Sequence, residues 1–444
     1  MRYMDFYDIR VIKGVSTAVV LDNGEIKEIS NNFSSGAAVR VLSKGTWGFV
    51  SQDNPENLDA ALNSAKRLAE TAKNRSTRDP VKLAPIEKPT LQNLPQIREN
   101  PGDIPIEDKV KLLLEIEKNA RIDGIKSTSA VYSESLVNIS YSSSEGLDCE
   151  YTLNRVGFAV SAIAQSEGVY QIGRESRFGV SGFELFKKHD AFGLARRAAD
   201  TAVELLSAST PKGGAYPVIL DQELAGVFIH EAVGHAVEAD HVIEGNSILA
   251  GRTGEQIASP LITVYDDPSL HEFGYYPFDD EGAESKRTTV IENGVLKSFL
   301  HSRETAGQLG GTSRNSRAQG YASPVIRMSN TFIAPDGMKF DEMLSELKDG
   351  IYLKGSRGGQ VNPGEGVFQF NAERGFIVKN GEITTPLRDV SLSGHTLEIL
   401  NSVSAVGNDL EMNSGRCGKA GQLVPVSDGS PHVLMKRAVV GGSG

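Results

Sequence analysis

Short apolar runs separated by turn residues open the chain and predict strands at Val15–Leu21, Glu25–Ser30, Ala37–Leu42 and Trp47–Val50. The first two flank Asp22-Asn23-Gly24, and Asn-Gly is the preferred dipeptide of a tight hairpin. Leu58, Ala61, Leu62, Ala65, Leu68, Ala69 and Ala72 then recur at helical spacing, predicting a helix that opens at Asn54-Pro55-Glu56 and runs to about Lys73. Prolines 80, 85, 89, 95, 101 and 105 predict an extended connection over 76–105. The amphipathic run 106–120 predicts a second helix, followed by strands at 125–140 and 147–165 and a helix at 190–208. Beyond Pro211-Lys212-Gly213-Gly214 come a strand, Tyr216–Leu220, and one further apolar helix. From 255 onward strand-like runs prevail: 261–265, 287–291, 295–300, 325–332, 367–370, 374–378 and 382–388, with a short helix at 340–347. Asn293-Gly294 and Asn380-Gly381 mark two more hairpins. The expectation is an α+β protein. Its N-terminal α/β region (1–210) has two small sheets with packed helices, units 1–75 and 106–210. Its C-terminal region (211–444) is β-rich, a large antiparallel sheet or distorted barrel.

The helix after Leu220 carries His230-Glu231-Ala232-Val233-Gly234-His235. Imidazole nitrogens can hold zinc, and a neighbouring carboxylate can move a proton. Two histidines five apart lie about 140° from each other on a regular helix, a poor chelate. A π turn would bring them together, and Gly234 could ease it. The plain alternative is an amphipathic helix with two incidental histidines.

Composition narrows the class. The 444 residues are 39% hydrophobic and 23% charged, as in a globular protein of two or three domains. The net charge of −11 disfavours direct nucleic-acid binding. No apolar run is long enough to cross a bilayer, and the first residues lack the apolar core of a secretory signal. Cys149 and Cys417 make no disulfide framework and suit a reducing cytoplasm.

A catalytic zinc usually has three protein ligands. Cys417, Glu238, Asp240, His241, His271, His301, His395 and His432 are candidates for the third. Cys417 lies in a glycine-flanked loop, where Arg416 and Lys419 would favour its thiolate. Glu238 and Asp240 could orient a ligand histidine, against the plainer expectation of a solvated helix end. His189, His271 and His432 are expected in surface or structural roles. Gly355-Ser356-Arg357-Gly358-Gly359-Gln360-Val361 reads as a loop, or as an edge that lets an extended peptide come close, with Gly358, Gly359 and Gln360 the candidate substrate contacts.

HEAVGHAVEAD (230–240), DDEG (279–282), IENGVLK (291–297), GGQV (358–361), VGNDL (406–410) and CGKAGQ (417–422) together resemble the TldD branch of the TldD/PmbA family. The resemblance is dense in the C-terminal half and covers the N-terminal half only in outline. It implies a cytoplasmic zinc-dependent peptidase with one zinc per chain, held by His230, His235 and Cys417, and with Glu231 as general base. It further implies unfolded or short peptides as substrates, bound extended. It also implies a dimer, either of like chains or with a PmbA/TldE-like subunit. Thr312–Tyr321 matches the family's arginine-containing loop loosely, and Arg317 is the expected group near the substrate carbonyl. Two other readings compete: a peptide-binding or chaperone-like module with a structural zinc, and a hydrolase of a non-peptide amide.

Overall fold

The computed structural model describes residues 4–74, 79–90 and 94–442. Parts of the proline-rich connection, 76–78 and 91–93, lie outside the described residues. Where described, that segment is non-helical up to Pro101 and is tied down by Val81 N–H to Gly45 O (2.9 Å) and Ala84 N–H to Arg303 O (2.9 Å).

The first half builds one antiparallel sheet from β1 (Phe6–Asp22), β2 (Glu25–Ser43), β3 (Thr46–Gln52), β4 (Ile125–Ser143), β5 (Asp148–Ser166) and β6 (Val169–Gly179), in the order β3-β2-β1-β4-β5-β6. The expected pair of small sheets is thus corrected: β1 pairs with β4 from Asp8↔Ser143 to Asp22↔Ser129 and fuses them. Helix Leu58–Lys73 covers one end and helix Ala191–Ser207 the other. A glycine permits each close approach. A Cβ on Gly48 would meet Ala65 O at 1.8 Å, and one on Gly173 would meet Ala198 O at 1.9 Å.

The second half contains β7 (Gly214–Leu220), six short strands β8 to β13 (Val264–Asp266, Thr288–Glu292, Val295–Leu296, Ser316–Arg317, Val325–Ile326, Asn330–Ile333), β14 (Gly350–Asn362), β15 (Val367–Lys379), β16 (Glu382–Leu387), β17 (Val390–His395), β18 (Val403–Val406), β19 (Glu411–Lys419), β20 (Gln422–Ser430) and β21 (Val433–Gly442). Strands β7, β21, β17, β15 and β14 close into a ring, because β14 pairs with both β7 and β15. A second sheet runs β10-β9-β8-β13-β20-β19. The expected barrel is present, but the pairing is mixed: β7–β14 and β13–β20 are parallel. Helix Gln222–Ile229 is buried against both, with Phe228 stacked edge-on to Phe368 and Phe370. The halves are locked together by Arg40, which pairs with Asp8 in its own sheet and with Glu281 across the boundary (2.9 Å).

Candidate metal centre

Asp221 starts the central helix. Its carboxylate accepts from Leu224 N–H and from Gly355 N–H of β14, both at 2.9 Å. The helix is α as far as Ile229, then widens into a π turn over His230–Gly234, closed by His235 N–H donating to His230 O. This is the distortion that the five-residue spacing demands. Gly234 matters here for room, since a Cβ would meet Met328 Sδ at 1.9 Å. The two imidazoles stand perpendicular, with centroids 5.4 Å apart.

Cys417 reaches them from β19. One donor atom each from His230, His235 and Cys417 lies within 4.8 Å of the others. Cys417 Sγ is 3.6 Å from His235 Nε2. Zinc–sulfur and zinc–nitrogen bonds of ~2.3 and ~2.05 Å at a tetrahedral angle give an S···N edge of about 3.6 Å, so the donor set fits zinc.

The outward nitrogens face carboxylates. His230 Nδ1 lies 2.6 Å from Asp428 Oδ1, and His235 Nδ1 lies 3.0 Å from the fully buried Glu238. Burial opposes charge on each ring, yet Asp428 holds His230 well above its ordinary value, and Glu238 and Cys417 lift His235 to about 10. Burial pushes the Cys417 thiol up, but the two histidines outweigh it and draw it down to about 5. The pocket therefore gathers negative groups around a place for positive charge. Burial raises the Glu231 carboxyl against the pull of His230 and His235; its side chain is 29% exposed and Oε2 lies 3.8 Å from His235 Nε2.

Glu238 and Asp240 are not a solvated helix end. Lys419 Nζ donates to Glu238 (3.1 Å), to both Asp240 oxygens (2.9 and 2.7 Å) and to Ile326 O (3.2 Å). Glu238, Asp240 and His241 have metal-like proximity, but this ammonium already sits among the two carboxylates. Lys419 therefore serves Glu238, and the histidines, more than Lys419 or Arg416, favour the Cys417 thiolate. Glu238→Gln keeps the shape while weakening the hold on His235. Zinc retention in competition with a chelator is expected to fall roughly 10- to 100-fold.

The remaining candidates lie elsewhere. His432 bridges Asp409 (2.6 Å) and Tyr352 OH (3.0 Å), and His271 packs on Tyr275. His395 Nδ1 is buried without a hydrogen-bond partner among the described residues, and its ring lies beside Gly366. His301 Nδ1 meets Thr305 Oγ1 at 3.2 Å, and burial pushes His301 down to about 4. The unfolded chain takes that proton near 6.5. Its contribution to stability is therefore complete above pH 6.5 and is lost as pH falls through 4. His301→Gln is expected to remove up to about 3 kcal/mol of that acid sensitivity, read by urea unfolding across the window.

No hydrogen bond or ion pair among the described residues joins Arg317, Gly358, Gly359 or Gln360 to the metal group. Arg317 donates to Met328 O (2.7 Å) and lies over the Tyr276 ring. Gly358–Gln360 belong to β14, on a stretch whose only strand partner among the described residues is β15. Asp428 escaped the sequence reading, since a lone aspartate in Ser427-Asp428-Gly429-Ser430 carries a turn signal and no ligand signal.

Three family descriptions match in order: PmbA/TldA metallopeptidase domain 1 at residues 7–72, the central domain at 99–206 and the C-terminal domain at 213–442. A metalloprotease of Archaeoglobus fulgidus is 43% identical over 99% of this chain and 100% of its own. A zinc metalloprotease TldD homolog of Saccharolobus solfataricus is 31% identical, covering 98% and 96%. Among solved structures, TldE from Thermococcus kodakarensis superposes with a TM-score of 0.78 at 19% identity, over 99% of this chain and 97% of that one. A Thermotoga maritima protein described as a modulator of a DNA gyrase reaches 0.82 at 23% identity, over 98% and 96%.

Proposed function

The chain belongs to the PmbA/TldD metallopeptidase family, and on that premise we propose that it is a zinc-dependent peptidase acting on unfolded or short peptides. The observation that carries the reading is the convergence of His230, His235 and Cys417 beside a half-open carboxylate, Glu231. One zinc per chain would be held by those three residues and would supply Lewis acidity and an acidified water. Three protein donors, as found among the described residues, suit a catalytic site better than a four-ligand structural one. Glu231 takes the proton of the attacking water at its carboxylate and returns it to the departing amide nitrogen. Asp428 and Glu238 keep the imidazoles turned with Nδ1 outward.

An extended substrate finds two strand edges that have no strand partner among the described residues, though Phe178 N–H of β6 donates to Ser414 Oγ of β19. β19, which bears Cys417, is the last strand of its sheet, and β14 beyond Leu353 has one unpaired side. Backbone pairing to such an edge needs an unfolded chain and reads little side-chain identity. The test is a zinc-loaded preparation offered the same sequence as an unfolded peptide and within a folded protein. Cleavage of the first and not the second is expected; chelator-insensitive cleavage, or none, would sink the reading.

Association is part of the proposal. Val15 pairs with Phe33 on one side and Leu136 on the other, forming a cross-strand apolar row in which Phe33 is 73% exposed. This row suits a second like chain or a PmbA/TldE-like subunit. Both cysteines are free, in keeping with a cytoplasmic location. No described helix is long and apolar enough to cross a membrane.

A further inference from the structure

A cavity of about 450 Å³ lies between the N-terminal sheet and the β19–β20 hairpin, and Arg155, Arg317 and Arg416 line it. Its charges are offset only in part, Asp280 acting on Arg155 and Arg317 without an ion pair to either. Glu134 pairs with Lys109 (2.7 Å) and Asp280 with Arg10 (3.2 Å). Asp279 accepts from the N–H groups of Glu281, Ala283 and Ser316 at 2.9–3.0 Å. Every acid of the lining thus has a partner from outside it. None of the three arginines has a carboxylate at ion-pair distance among the described residues. Arg155 donates to Phe273 O (3.2 Å) and Tyr275 O (2.9 Å), Arg317 to Met328 O, and Arg416 lies over the Phe273 ring. Burial above all, and then the charges of Arg317 and Arg416, bring Arg155 down to about 10, against the opposing pull of Tyr151 and Asp280.

The cavity borders the metal centre through one strand. Arg416 precedes Cys417 on β19, and successive strand residues face opposite ways. A peptide added to the edge of β19 that has no strand partner among the described residues, beyond the Phe178–Ser414 contact, alternates in the same manner. When its scissile carbonyl is level with Cys417, the adjacent position faces the arginines.

We propose that this cavity is a carboxylate subsite of the peptidase, taking a carboxylate of the bound peptide next to the scissile bond. The proposal rests on the peptidase reading and narrows its substrates to peptides that offer an acid there. Two groups supply that chemistry: the terminal α-carboxylate and an Asp or Glu side chain.

The test is equilibrium binding of fluorescently labelled short peptides to zinc-loaded Glu231→Gln protein, which does not require turnover. One pair of peptides differs only in a C-terminal acid or amide. A second pair, both amidated, differs only in one internal Glu or Gln. A preference of roughly 10- to 100-fold for the acid in at least one pair is expected, as for hydrogen bonds to a charged group. The pair that responds identifies the source. Arg416→Gln, at an exposed side chain, should shrink the preference several-fold, while the exposed Arg437→Gln control should leave it. No preference in either pair, no binding of any peptide, or a preference untouched by Arg416→Gln overturns the subsite. Acid-selective binding without cleavage of the same peptides by wild type would instead sink the peptidase reading and leave the subsite standing.

Discussion

Replacing Cys417 with Ala is expected to reduce zinc from about one ion per chain to a trace, and peptide cleavage with it. The thiolate is one of three donors, so its loss costs more than the roughly 10- to 100-fold attributed to outer partners. Two imidazoles five residues apart on a π turn supply only two of the three donors, and the third is the sulfur arriving from β19. The fold should survive. Cys417 is 4% exposed within a large apolar cluster, and deleting one sulfur there costs about 1 kcal/mol. Elemental analysis of the two proteins side by side, with circular dichroism to certify folding, reads the outcome. Full zinc occupancy in a folded Cys417→Ala protein would remove Cys417 from the ligand set.

Glu231→Gln separates binding from chemistry. The amide fills the same space and leaves His230, His235 and Cys417 in place, so zinc content should stay at one per chain. It cannot accept a proton, and turnover should fall by about 10²- to 10⁴-fold, the usual worth of a general base. KM should change little, since the carboxylate is assigned to the moving proton and not to the resting substrate. A variant that loses metal and activity together would recast Glu231 as a ligand. One that keeps its activity would end the proposed role.

Much of this was legible in the chain, for identifiable reasons. Asn23-Gly24, Asn293-Gly294 and Asn380-Gly381 all adopt positive φ at both residues, the geometry for which that dipeptide is selected. The histidine spacing announced the π turn because no regular helix brings residues five apart together. What stayed hidden had its own physics. The first half of β1 points Asp8 and Arg10 inward, at 4% and 3% exposure, where they meet Arg40 and Asp280, so its buried face does not read as apolar. β20 carries Pro425 and Asp428 inside a three-strand run, and β19 carries Gly415 and Gly418 on either side of Arg416 and Cys417. Both read as loop. The parallel pairs β7–β14 and β13–β20 join segments over ninety residues apart, which no local pattern encodes.

The wide turn in the central helix leaves a signature of its own. Positions 223, 227, 231 and 235 are all less buried than the residues between them. That is a four-residue repeat. On a regular helix, twelve residues at roughly 100° each would leave the last about 120° away from the first. The π turn, with fewer degrees per residue, counters that drift, and the line of less-buried positions ends in Glu231 and His235. A helical wheel drawn at the usual angle smears this line around the cylinder, whereas a simple count of four recovers it.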